Sequence, residues 1–224
     1  MNRIKSYDVP HKGLRNALAQ LSLRAGSTDY NDPQAVERLH ALGADVFSLL
    51  SIHSKDEDEV VLAALEERCP GCAQHDTEDH VRIHHLQEEL ERTLAQLYAA
   101  SSEGKDVEDE GSSFYLLLSE FHGAYLGHMA EEERVTQPLL WQHFTDEELV
   151  DHRSKIMASN PPETLLTWFR FVLPAQSRTE RIGLLQGFSK AAPPDFFAKA
   201  LDVIESALTP KEFSELQAGL SPHS

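Results

Sequence analysis

The sequence predicts an all-α protein, an antiparallel four-helix bundle followed by a C-terminal helical extension. Apolar residues recur at helical spacing, strand patterns are weak, and prolines and glycines cluster where the helical pattern stops. Four long helical stretches joined by short links favour antiparallel neighbours in a bundle. We therefore expect the bundle in residues 1–144 and the extension in residues 145–224.

The predicted helices follow from the apolar stripes and the breaks between them. The second helix has a clear start signal, Asp32-Pro33, because aspartate caps a helix and proline suits its first turn. An acidic, glycine-containing stretch at residues 101–113 is predicted to be a mobile loop. The approximate helical ranges are residues 10–25, residues 33–68, a third helix from residue 77, and residues 113–143. Breaks in the extension are expected at Asn160-Pro161-Pro162, Pro174, Pro193-Pro194 and Thr209-Pro210.

Composition limits the classes of function. The formal net charge is −17, so nucleic-acid binding is not expected, because phosphate backbones repel an acidic surface. The chain has no unbroken apolar run near the ~18 residues of a membrane span. Residues 1–13 are polar and lack the apolar core of a signal peptide. We therefore expect no membrane partner and a cytoplasmic location.

Two copies of the motif H-x-x-x-E give the sharpest signal of chemistry. His53 and Glu57 form the first copy, in the second predicted helix, and His128 and Glu132 form the second, in the fourth. This spacing places an imidazole and a carboxylate one turn apart on one helix face. The surrounding residues also correspond at a constant offset, which is a stronger signal than one copy of so short a motif. The acidic neighbours are expected to be mostly a solvated face: Asp56, Asp58, Glu131 and Glu133.

A histidine also lies near the start of the helix that precedes each copy. The first helix supplies His11, and the third supplies His80, with His84 one turn later. In a bundle such side chains can converge, so that two carboxylates bridge two metal ions and imidazoles fill the terminal positions. His80 lies closer than His84 to the apolar stripe of its helix. His80 is therefore the preferred ligand, with His84 as an alternate or additional one.

These motifs resemble the hemerythrin-like (HHE cation-binding) family over about residues 7–144. The stretches that begin at His53 and His128 are similar to the two family signatures, and Pro138 follows the second as it usually does in that family. The spacing from His53 to His80, and the helical segment after the bundle, look most like the hemerythrin domains of plant iron-sensing ubiquitin ligases. The sequence shows no RING or zinc module, so ligase activity is not implied.

The resemblance implies a non-heme centre of two iron ions, oxo- or hydroxo-bridged. It implies binding or sensing of a small ligand, namely oxygen, peroxide or nitric oxide. The alternatives are a di-iron enzyme acting on one of these molecules, and an iron donor in iron–sulfur cluster repair. The C-terminal extension is a candidate surface for a protein partner. The implied metal ligands are His11, His53, Glu57, His80, His128 and Glu132, with the two glutamates as bridges.

The two cysteines, Cys69 and Cys72, lie in a Cys-Pro-Gly-Cys turn. Three interpretations are open from the sequence. The pair can be redox-active, or half of a zinc site with His75 as the nearest further ligand, or two thiols in a loop without a function of their own.

Overall fold

The computed structural model describes residues 3–220, and within that range every regular element is a helix, which confirms the all-α prediction. Two compact units are present. The first comprises residues 3–8 and Ala17–Ser159, and the second comprises Val9–Asn16 and residues 160–220. The boundary expected between residues 144 and 145 remains a prediction. No helix in the described residues is long and apolar enough to span a membrane.

The first unit is built from four helical rods, and two of these contain a π-helical turn. The turn π1 (Glu57–Leu62) joins α2 to α3, and π2 (Glu132–Thr136) joins α5 to α6. A π turn has hydrogen bonds from residue i to i+5 and so holds one residue more than an α-helical turn. The α-helices are α1 (Asp8–Ser27), α2 (Pro33–Asp56), α3 (Ala63–Arg68), α4 (Gln74–Ser102), α5 (Glu108–Glu131), α6 (Gln137–His143) and α7 (Asp146–Ser159).

The helix ends follow local chemistry, with one correction to the predicted loops. Asp32 caps α2 by accepting a hydrogen bond from the Gln34 backbone N–H at 2.9 Å. The predicted loop at residues 101–113 is too long, because α4 continues to Ser102 and α5 begins at Glu108. The acidic residues that suggested a loop form the first turn of α5, where the helix dipole favours negative charge.

Apolar faces of the rods bury the core of the first unit, and α4 packs against both α2 and α5. Each leucine removed from water there contributes about 1.5–3 kcal/mol to folding. The fully buried side chains include Leu18, Leu21, Leu39, Leu50, Leu90, Phe114, Leu118 and Phe121.

A second apolar cluster in this unit carries the cysteine turn. It contains Tyr7, Val61, Leu65, Leu140, Phe144 and Leu149, and both cysteines pack on its edge. The sulfurs of Cys69 and Cys72 are joined in a disulfide. Neither sulfur is therefore available as a zinc ligand in this state, so the zinc alternative is not what the structure forms.

The second unit has its own apolar core, made by four helices together with Val9. Leu173, Leu185, Ala200 and Ile204 are fully buried, and Phe169, Phe196 and Phe197 pack around the ring of Phe188. The predicted breaks at the two proline pairs and at Thr209-Pro210 are present. Pro174 lies inside the last turn of its helix, which ends one residue later at Ala175. The helices are α8 (Pro162–Ala175), α9 (Arg178–Ala191), α10 (Pro194–Ala207) and α11 (Pro210–Leu220).

These four helices form two similar pairs. In both pairs the first helix starts at the second residue of a Pro-Pro sequence, with Pro161 and Pro193 as the N-caps of helices that begin at Pro162 and Pro194. The second helix of both pairs starts with a capping box, in which each of two side chains accepts a hydrogen bond from the backbone N–H of the other residue. The two residues are Ser177 and Glu180 in the first pair, and Thr209 and Glu212 in the second. Helix α8 packs against α10, and α9 packs against α11. The second unit is therefore built from a repeated helix pair.

Glycine at position 111 is predicted to be required by packing. An alanine Cβ there would lie 2.5 Å from Cε1 and Cγ of the Tyr30 ring, which is rigid and donates its hydroxyl to the Ala25 carbonyl. Gly111→Ala should destabilise the fold by about 1–3 kcal/mol. An alanine Cβ at Gly123, on the same helix, would have no atom within 4 Å among its described neighbours. Gly123→Ala should raise the free energy of unfolding by up to about 1 kcal/mol. Urea unfolding followed by circular dichroism measures this free energy for both variants. Equal effects at the two positions would contradict the explanation based on the Tyr30 ring.

Candidate metal centre

Four buried side chains from three rods come together in the first unit. Ligand atoms of Glu57, His80, His128 and Glu132 all lie within 4.8 Å of one another. His53 lies one turn before Glu57, and its Nε2 is 3.1 Å from Glu57 Oε1. Five of the six predicted ligands are therefore placed together within this unit.

The two glutamates lie at the centre, and each directs its two oxygens to different imidazoles. Glu57 directs Oε1 to His53 and Oε2 to His80, whose Nε2 is 3.5 Å away. Glu132 directs Oε1 to His80 Nε2 at 3.7 Å and Oε2 to His128 Nε2 at 3.4 Å. Most of these separations are longer than a good hydrogen bond between nitrogen and oxygen. A carboxylate that faces two nitrogen donors through separate oxygens can bridge two cations.

Outer carboxylates lie beside two of the imidazoles. His80 Nδ1 is 2.8 Å from Asp58 Oδ1, and His128 Nδ1 is 3.6 Å from Asp79 Oδ2. The contact of His80 is a hydrogen bond, which fixes the ring and leaves its other nitrogen to face a metal ion. The separation of 3.6 Å at His128 is too long for a hydrogen bond. In both residues Nε2 is thus the nitrogen that faces the central glutamates.

Both glutamates occupy the same place in their rods. Glu57 is the first residue of π1, and Glu132 is the first residue of π2. Each carboxylate thus lies where regular α-helical hydrogen bonding stops. Short π-helical turns inside α-helices are frequently found at functional sites. After π2, Pro138 lies in the first turn of α6 and has no N–H to donate.

The electrostatics of the cluster follow from burial of acidic groups. Burial by itself lowers the pKa of His80, but the carboxylates of Asp58, Glu132 and Glu57 outweigh it and raise this pKa to about 12. Without a metal ion the cluster therefore keeps a proton on His80, and a bound cation would take the place of that proton. Burial also raises the pKa of Tyr7 and of Tyr125 well above the usual value, and the two central glutamates add to the effect. Both phenols stay neutral beside the cluster.

Asp76 adds a further buried carboxyl group in the first turn of α4. Its pKa is raised, chiefly by burial, and the hydroxyl of Thr136 on π2 donates a hydrogen bond to it. This contact ties the start of α4 to the π turn that carries Glu132. Tyr125 closes another side of the cluster, since its ring meets that of His128 edge to face at 5.8 Å.

The two remaining histidine candidates have different positions. The side chain of His84 is 59% exposed and pairs with Glu88 on the surface of α4, whereas His80 is buried. His11 is fully buried near the start of α1, within the stretch that clusters with the second unit. Its role as a ligand remains a prediction.

Some residues that shape the site have no clear signal in the sequence. The expected solvated face includes Asp58, but this residue holds His80 although its own side chain is 42% exposed. Asp76, Asp79 and the two buried tyrosines also belong to no motif. The run Glu78-Asp79-His80 is one available signal. Asp58 lies on π1, and this irregular turn leaves no periodic pattern of the kind that a regular helix would reveal.

The donor set fits cations of intermediate hardness. Imidazole nitrogens and carboxylate oxygens suit iron, zinc and related ions, and two glutamates shared by several histidines suit a pair of ions. Buried carboxylates without a cation carry a large desolvation penalty, so a bound cation offsets a cost that the fold otherwise bears. The structure therefore contains a histidine–glutamate cluster able to hold metal.

Comparison with known proteins agrees with this chemistry. The family model of the hemerythrin HHE cation binding domain matches residues 2–140. F-box/LRR-repeat protein 5 of Mus musculus is 22% identical over 223 residues, which is 98% of this chain and 29% of that protein. The same protein of Salmo salar is 22% identical over 159 residues (71% of this chain, 22% of that protein), and that of Xenopus tropicalis is 23% identical over 164 residues (71% and 23%).

This chain therefore spans less than a third of the length of these relatives. No solved structure matches it. The particular closeness to plant ligase domains is not tested by these relatives and remains a prediction. The family model covers well over half of the chain, along the rods that carry the cluster, and the chain belongs to the hemerythrin HHE cation-binding family.

Proposed function

We propose that this chain is a non-heme di-iron protein that binds iron and responds to oxygen or a related small ligand. The observation that carries the proposal is the arrangement of Glu57 and Glu132, each of which turns its two oxygens towards different imidazoles. One ion needs only one oxygen from each carboxylate. Two ions side by side would use all four oxygens, with the imidazoles at the outer positions.

The proposed ligand set is completed by His11. The second half of the pattern has a histidine on the preceding rod, His80, in addition to the His128–Glu132 pair. By the same pattern, His11 on α1 would serve the His53–Glu57 pair. Its complete burial supports this role, because a buried imidazole requires a polar partner.

The residues around the cluster favour binding and sensing. Bound iron would supply redox chemistry towards oxygen, peroxide or nitric oxide. Tyr7, Tyr125 and Met129 are buried close to the ligands and limit the access of water. Repulsion between Glu57 and Glu132 destabilises the metal-free protein, so loading with metal stabilises the fold and can report the availability of iron.

The direct test is metal analysis and an optical spectrum of protein purified without oxygen and then exposed to air. We expect two irons per chain, a spectrum that changes on exposure, and recovery when oxygen is removed. Steady consumption of peroxide or nitric oxide over many turnovers would instead favour an enzyme. Iron well below one per chain in protein refolded with ferrous iron would contradict the proposal.

Glu57→Gln is predicted to abolish paired metal binding, because a neutral amide neither bridges two cations well nor balances their charge. The affinity for the second ferrous ion should fall by more than about 100-fold in competition with a chromogenic chelator. Glu59 lies on the same π turn but is exposed. Glu59→Gln is the matched control and should bind as wild type does; equal losses in both variants would mean that net charge, and not bridging, explains the effect.

His80→Ala and His84→Ala are predicted to differ, although the residues lie one turn apart. His80 faces both central glutamates, whereas His84 pairs with surface Glu88. His80→Ala should lose about one iron per chain, and His84→Ala should keep both. Iron content after gel filtration, with circular dichroism to verify the fold, decides between them; loss of iron from His84→Ala alone would make His84 the ligand.

A further inference from the structure

The turn between α3 and α4 contains chemistry that the metal centre does not use. Cys69 ends the rod that contains Glu57, and Cys72 lies just before the helix that contains His80. Their Cα atoms are 5.5 Å apart, a separation typical of disulfides. We propose that Cys69 and Cys72 form a reversible dithiol–disulfide site whose substrates are low-molecular-weight disulfides and thiols, such as the glutathione couple.

Hydrogen bonds that do not involve sulfur hold the turn in shape. The Cys72 N–H donates to the Cys69 carbonyl at 2.9 Å, and Gly71 adopts a φ of 86°, a conformation that glycine tolerates best. The Glu66 carboxylate accepts from the Gly71 N–H at 2.7 Å and from the Ala73 N–H at 3.3 Å. The reduced turn therefore keeps the two thiols close together. This lowers the entropic cost of closing the bond again.

The turn is accessible to a small reactant. Pro70 and Gly71 at its tip are exposed, and the two cysteines are half-buried. The cysteine side chains rest on an apolar cluster that includes Leu65 and Leu140. A tripeptide disulfide can approach the sulfurs from the solvent side without unfolding either helix.

The helix ends give the two cysteines different reactivity. Cys72 lies next to Ala73, the N-cap of the 29-residue helix α4, and the positive end of a helix dipole favours a thiolate. Cys69 follows the C-terminal end of α3, where the dipole disfavours negative charge. Cys72 is therefore the attacking thiol and Cys69 the resolving one.

The exchange balances as two substitutions at sulfur. The Cys72 thiolate attacks one sulfur of glutathione disulfide, and the sulfur–sulfur bond of that reagent breaks to release one glutathione thiolate. The Cys69 thiolate then attacks the Cys72 sulfur of the mixed disulfide and releases the second glutathione. The protein loses two electrons and two protons, and one glutathione disulfide becomes two glutathione thiols. Reduction by glutathione is the reverse sequence.

The test uses the full chain in glutathione buffers of graded ratio, without added metal. After acid quenching, free thiols are alkylated and counted by intact mass. We expect both thiols to convert together at one midpoint that is the same from the oxidised and the reduced side. A bond that resists reduction until the helical circular dichroism is lost, or thiols that stay free in the most oxidising buffer, would overturn the proposal.

Single variants test the assignment of roles. Cys69→Ser leaves the attacking thiol without its resolving partner, so it should accumulate a glutathione adduct on Cys72 at least ~10-fold faster than Cys72→Ser does on Cys69. Equal rates would overturn the assignment of Cys72 as the attacking thiol. The wild-type titration stands alone if either variant fails to fold. Iron is absent from these assays, so their outcome is separate from that of the metal proposal.

Discussion

The structure depends on two buried carboxylates, Glu57 and Glu132, that lie side by side in the interior of a helical bundle. Taking a carboxylate out of water costs several kcal/mol even after the protein relaxes, and two of them close together repel each other. The fold accepts this cost because three imidazoles face their oxygens and a proton stays on His80. A bound cation would likewise offset the negative charge of these oxygens. The buried carboxylates and imidazoles are therefore arranged to bind positive charge.

The same local features of two helical rods build this arrangement. The rods α2–π1–α3 and α5–π2–α6 both place a histidine one turn before a glutamate and change to π-helical hydrogen bonding at the glutamate itself. Helix α4 contributes His80 between them and anchors the arrangement through Asp76 and Thr136. The outer carboxylate of Asp58 orients the ring of His80. The positions of the central ligands are thus set in part by side chains that do not themselves face the two central glutamates.

Much of this was predictable from the sequence, for physical reasons. The paired H-x-x-x-E motifs located four residues of the cluster, because i and i+4 share a helix face whatever the tertiary structure. The position of His80 relative to the apolar stripe distinguished it from His84 for the same reason. The contact between Asp58 and His80 could not be predicted, since a π turn rotates the later residues of its rod away from the regular helical period. The early start of α5 was missed because acidic residues suit both a solvated loop and the first turn of a helix.

The second unit contains a repeated helix pair whose two copies are not equivalent. When the proline pairs and caps of α8–α9 and α10–α11 are aligned in register, Arg181 corresponds to Phe213, and both side chains are buried. The Arg181 guanidinium donates to the carbonyls of Leu173 and Gln176 and pairs with Glu212 of the other half. The two helix pairs thus share their helix starts and their capping, but a buried arginine in one corresponds to a buried phenylalanine in the other. The contact between Arg181 and Glu212 is therefore one that the apolar Phe213, at the corresponding position, cannot make, so the two helix pairs have different roles in holding the unit together.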